Sequence, residues 1–320
     1  MRGAAAALRG LTLGLVLGLV PGCGGAAKAP PITAVARPEA VTAGDRILPL
    51  LPAGAQVIVE IDLARLRANP VVGALVARAL ASDDLPGLPA GTPGSPLAQA
   101  DVVVLASYGV GTSQAATLTV LVTTAPVEGS VRLADDLVVL GPPAWTAQVE
   151  ARAVLATVAA AQGTAALPLV AAPELLRLRD QAMPPKAPGA ALRVTATLSF
   201  EARVARARQT GLDAPPARLS VWADVVDDLA IIIDADADDP GDRKPVKKGA
   251  RRTDRLETGL RGLLAAVAEV PAIRALGLPV SLRRARLVAK GSWVRTIISI
   301  GPIHLGRVVQ RARAYLEEPS

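Results

Sequence analysis

Three places in this 320-residue sequence carry residue types that could do chemistry: the lone histidine His304, a glycine-bearing loop from Tyr108 to Ser113, and an acidic run over residues 234–242. A zinc site or a histidine-based triad needs partners for His304, and the chain has no second histidine and one cysteine, Cys23. His304 stands at the start of a predicted helix, beside its apolar face, and reads as a helix-start residue. Tyr108-Gly109-Val110-Gly111-Thr112-Ser113 lacks the Gly-Lys-Ser/Thr ending of a phosphate cradle. It joins two predicted strands, so it reads as a hairpin turn. Asp234, Asp236, Asp238, Asp239 and Asp242 alternate in a way that suits calcium, a hard cation wanting six to eight oxygens. However, Asp239 takes the place of the glycine such a loop needs, and Pro245 takes that of its closing glutamate. Arg243, Lys244, Lys247, Lys248, Arg251 and Arg252 follow at once and compete for the carboxylates, so a self-neutralising loop is the better reading.

The same six basic residues form a candidate anion-contacting loop. They have no interleaved aromatics for base stacking, so anionic lipid or acidic polysaccharide fits them better than nucleic acid. The sequence contains neither Gly-x-Ser-x-Gly nor Ser-x-x-Lys. Paired carboxylates for glycoside cleavage are defined only in three dimensions. With Trp145, Trp222, Trp293 and two tyrosines, material for a sugar-stacking cleft is thin; Trp222 and Trp293 lie in predicted strands as core. No catalytic residue, metal ligand or cofactor is assigned.

Cys23 has the most informative surroundings. Arg2 and Arg9 precede an apolar run over residues 11–20, followed by Pro21-Gly22-Cys23. A basic end, a short apolar stretch and small residues make a secretory signal. Ten residues as a helix reach about 15 Å, half of a hydrocarbon core of about 30 Å, so the run is too short to span. Leu19-Val20-Pro21-Gly22-Cys23 resembles the lipobox of bacterial lipoproteins, with Val20, Gly22 and Cys23 matching and Pro21 standing where Ala or Ser is usual. The resemblance implies that the Cys23 thiol takes a diacylglycerol and that residues 1–22 are removed. Gly24, where inner-membrane retention uses Asp, implies an outer-membrane destination, facing periplasm or cell surface.

The elements that must carry any surface of this chain follow from periodicity. Residues 23–46 lack it and read as a tether averaging about 25–30 Å. Strands are predicted over 56–61, 101–107, 116–124, 192–199, 219–226, 229–235, 280–290 and 293–300, with a hairpin over 130–140. Helices are predicted over 63–68, then from Asn69-Pro70 to 81, 145–162, from 173, 200–209, 254–270 and 303–316. The class is therefore α+β, with two similar halves, 47–185 and 186–320, each an antiparallel sheet packed by helices in a strand-helix-hairpin rhythm. Leu51-Pro52-Ala53 and Asp62-Leu63-Ala64-Arg65-Leu66 are also similar to openings in uncharacterised repeat-type lipoproteins of high-GC bacteria. That resemblance implies no activity.

Charge is lopsided. The net +7 arises from residues 243–320, which hold 17 basic and 5 acidic side chains against 18 and 22 in the first 240. Only six aromatic side chains serve a chain that is 51% apolar, so the core must be aliphatic. These features lead to a non-catalytic envelope lipoprotein, held to the membrane by its lipid and acting as a scaffold or interaction module for an envelope protein. The alternative is a periplasmic carrier of an apolar or lipid-like ligand in a groove between the halves.

Overall fold

The computed structural model describes residues 42–81, 96–161, 173–184, 189–200, 202–203, 216–237 and 252–317. Ten strands form a single antiparallel sheet, in the order β4-β5-β3-β2-β1-β6-β7-β8-β10-β9. They are β1 (Val57–Asp62), β2 (Val102–Tyr108), β3 (Ala116–Val122), β4 (Val131–Ala134), β5 (Leu137–Leu140), β6 (Leu192–Thr197), β7 (Arg218–Val225), β8 (Leu229–Asp236), β9 (Arg286–Lys290) and β10 (Trp293–Ile300). The expected pair of sheets is thus one sheet. β1 hydrogen-bonds to β6 from Val57↔Ala196 to Ile61↔Leu192, so the seam between the predicted halves is an ordinary strand ladder.

Alternation along the strands feeds two apolar layers. On one face Ile58, Val104, Ala106, Leu118, Val120 and Val139 meet Ile47, Leu48 and Leu51. These come from α1 (Ala43–Ile47) and the 3-10 turn Leu48–Leu50. Val149 of α5 (Pro143–Ala161) and Leu175 of α6 (Pro173–Arg179) complete that layer. On the other face Val103, Leu121 and Val138 meet Leu63 and Leu80. Those belong to α2 (Leu63–Ala68) and α3 (Gly73–Ala81), beside the short α4 (Pro96–Gln99). Farther along, Ala235 and Val294 pack on Leu256 and Leu260 of α7 (Arg252–Ala268). Ile300 packs on Leu305 and Val309 of α10 (Pro302–Glu317). Among the described residues no helix is long and apolar enough to cross a membrane.

Helix starts follow local chemistry. Asp62 accepts from the Arg65 amide at 2.7 Å, opening α2 where the sequence places it. Asn69 accepts from the amides of Val71 and Val72 at 2.9 and 3.0 Å, as a cap should, but α3 becomes regular only at Gly73. Two departures matter. The expected tether meets the fold before Arg46: Thr42 and Asp45 form a reciprocal capping box, and Gly44 and Ile47 of α1 are buried. The expected strand over 280–290 is strand only from Arg286. Before it lie α8 (Pro271–Leu276) and α9 (Pro279–Arg283), each opened by a proline that is preorganised for a first helical turn.

Candidate functional site

Two arrangements concentrate polar groups. The first is buried where the chain enters the fold. Glu60 of β1 points to the face covered by α1, and Arg179 at the end of α6 reaches it with Nη2 at 2.7 Å from Oε2. Arg179 Nη1 donates to Asp45 Oδ1 at 2.8 Å, and Nη2 to Thr42 Oγ1 at 3.3 Å. Burial works against the charged guanidinium, but the hydrogen bond and charge of Glu60, then Asp45 and Asp180, outweigh it and hold Arg179 above its ordinary range. Burial, then the charge of Arg179, lowers neighbouring Arg193. Only a glycine lets the α1 backbone sit here, because a Cβ at Gly44 would collide with the Glu60 carboxylate. The space lined by Thr42, Glu60, Asp62, Arg179 and Arg193 is about 50 Å³, too small for an organic ligand. This network fastens the start of the fold to the middle of the sheet.

The same face continues with cross-strand ion pairs. Asp234 lies opposite Arg295 and accepts from its Nε and Nη2 at 2.8 and 2.6 Å. Asp236 lies opposite Arg218 and pairs with it. Asp224 takes both prongs of Arg65 at 2.7 and 2.6 Å. The expectation that the acidic run is neutralised by the basic loop is corrected for its first two members. Alternation on β8 turns both inward, to 1% and 0% exposure, and strand register supplies their arginines. Asp238, Asp239 and Asp242 lie outside the described residues.

The second arrangement is an open groove of about 520 Å³ between α8, the start of α9 and α10. Arg274, Arg307, Arg311 and His304 line it with Gly277, Pro279, Val280 and Ile303, and no carboxylate among the described residues does. Among the described residues none of the three arginines has an ion-pair partner. Gly277 caps α8 in the left-handed conformation at φ +77°, its amide bonding back to Arg274 and Ile273. A Cβ there would collide with Nη1 of Arg311, so the glycine leaves room for that guanidinium against the cap. His304 Nε2 lies 2.9 Å from the Gly277 carbonyl oxygen and ties α10 to the same cap. The histidine is a helix-start residue, as expected.

Cys23 and Arg243, Lys244, Lys247, Lys248 and Arg251 lie outside the described residues; Arg252 opens α7. Residues 109–115 join β2 to β3 as the hairpin turn the sequence predicts. Trp222 is core, with its indole N–H donating to the Gly189 carbonyl at 3.2 Å. Trp293 is not: it is partly buried at the start of β10, with Arg218 over its ring at 5.6 Å. The described residues hold no group of three or more His, Cys, Asp or Glu placed to share a metal. Sequence reasoning missed the arginine groove. Arg307 and Arg311 are one turn apart and were readable as a stripe, but Arg274 belongs to a helix the periodicity did not reveal.

No family model matches the chain, and no curated protein does. Among solved structures, one described as "Structure of crystal form I of TP0453" is similar over 83% of this chain and 97% of that one, at 8% identity and a TM-score of 0.42.

Proposed function

We propose that this protein is a non-catalytic, lipid-anchored module of the bacterial envelope, fixed through Cys23 and acting as a scaffold at the membrane surface, on the outer membrane. The observation that carries the reading is the fastening of residue 42. A lipid on Cys23 would hold the bilayer 19 residues upstream of Thr42, and the Thr42–Asp45–Arg179–Glu60 network would pass that tether's load into the central strand. The unpaired arginines of the α8–α10 groove give the module a surface suited to anionic neighbours, lipid or polysaccharide. An envelope protein is the partner class we assign to the remaining surface.

Two related halves, 47–185 and 186–320, fit this reading. Counted outward from the centre, β1-β2-β3-β5-β4 and β6-β7-β8-β10-β9 share one order, three strands of a meander and then a hairpin entered from the edge. A carrier of apolar ligands would use a groove between halves. The β1–β6 ladder occupies that seam, and Val57, Val59, Val194 and Val221 fill one side of it, which favours the scaffold. Replacing Cys23 with Ser tests the anchor: the protein is expected to move from the membrane to the soluble fraction. Full membrane retention of the variant would refute it.

A further inference from the structure

We propose that the groove between α8 and α10 binds the phosphate of an anionic lipid headgroup, with Arg274, Arg307 and Arg311 as ligands and Ile303 and Val280 meeting the acyl boundary. This inference deepens the membrane-surface reading and rests on it. Three guanidinium groups line one groove, no described carboxylate lines it with them, and an anion from outside would relieve their mutual repulsion. Guanidinium forks match phosphate oxygens in geometry as well as charge. Arg65, Arg218 and Arg295, by contrast, each meet a carboxylate, Asp224, Asp236 and Asp234 respectively.

The rim selects among phosphate sources. Ile303 is 78% exposed and Val280 50% exposed, both beside the arginines. Ile303, Arg307 and Arg311 follow one another at four-residue spacing along α10, so the apolar tip and the two charges share one stripe. A branched apolar residue next to arginines is the composition of a face that lies at a headgroup boundary. A free phosphate would engage the arginines and leave the rim in water. Among the described residues the lining has no aromatic side chain on which a base could stack, which argues against a nucleotide.

The test uses the chain from residue 23 with Cys23→Ser, which carries no acyl group and keeps every described residue. Flotation with mixed phosphatidylglycerol–phosphatidylcholine vesicles should show binding, and phosphatidylcholine vesicles alone should show little. Arg274→Gln, Arg307→Gln and Arg311→Gln together should weaken binding on the order of 100-fold, from about 1 kcal/mol per basic residue at an anionic surface. A control triple, Arg255→Gln, Arg286→Gln and Lys290→Gln, removes the same charge from exposed positions outside the groove and should change binding less than fivefold. Equal losses from both triples would overturn the proposal in favour of general charge attraction. Arg307→Glu, a single exposed change, should reproduce most of the loss, and normal binding by it would also count against the groove. Ile303→Ser with Val280→Ser should cost about tenfold on vesicles and leave calorimetric binding of inorganic pyrophosphate unchanged. Pyrophosphate binding with no vesicle effect of the rim change would overturn the lipid in favour of a soluble phosphate. Because the chain is not acylated, these outcomes are independent of whether Cys23 anchors the protein.

Discussion

Replacing Arg179 with Met should strand the Glu60 carboxylate, and the cost can be worked from its surroundings. Glu60 is 8% exposed, Arg179 6% exposed, and two of the arginine's nitrogens serve that one carboxylate. Removing one partner of a buried ion pair costs about 3–5 kcal/mol, because the remaining charge is left unpaired. Arg193, opposite Glu60 on β6, remains as a nearby cation and trims that cost. Arg179→Met should therefore lose about 2–4 kcal/mol. Adding Glu60→Leu removes the carboxylate and should recover about 1–2 kcal/mol of it. Urea unfolding of wild type, both single variants and the double variant reads all of this. A loss below about 1 kcal/mol, or a double variant no better than Arg179→Met, would refute the claim that this pair fastens α1 and α6 to the sheet.

Asn69→Ala removes both a helix cap and the two bonds its amide donates to the Val225 and Val226 carbonyls at 2.9 Å each. It should cost about 2–3 kcal/mol in urea unfolding, while Asn69→Asp, which keeps the cap acceptor and loses the donor, should cost about 1–2 kcal/mol. Tyr108 donates to the Pro52 carbonyl at 3.2 Å, and burial pushes its phenol well above the ordinary value. A raised acid favours the folded state fully below the unfolded value of about 10 and loses that advantage as pH rises. Between pH 10 and 11 the wild type should thus lose about 1 kcal/mol more than Tyr108→Phe, and parallel unfolding curves across that interval would contradict the burial.

Much of the sheet was legible because its signal is local. Val57, Val59 and Ile61 alternate with Ile58 and Glu60, and the observed strand follows that alternation to one face and the other. Asp62 opened its helix on cue, since a cap needs only its own next three residues. On α10 the apolar set Leu305, Val309 and Ala312 is buried as the 3.6-residue period requires. What failed depends on distant partners. Thr42 and Asp45 read as tether because their anchor, Arg179, lies 134 positions from Asp45 along the chain. Asp234 and Asp236 read as part of a self-neutralising acidic run because the arginines opposite them are set by register, which a single sequence does not print. Residues 280–285 read as the start of a hairpin strand leading to Gly291-Ser292, although Pro271 and Pro279 are positioned to open short helices. That misreading also hid the groove, which exists only once Gly277 folds α8 back toward α10.

The most direct test of the lipid anchor is the mass of the N-terminal peptide of the protein isolated from its own membranes. The account predicts a peptide that begins at Cys23 and carries a diacylglycerol on its thiol. A peptide with a free Cys23 thiol, or one still joined to residues 1–22, would contradict it.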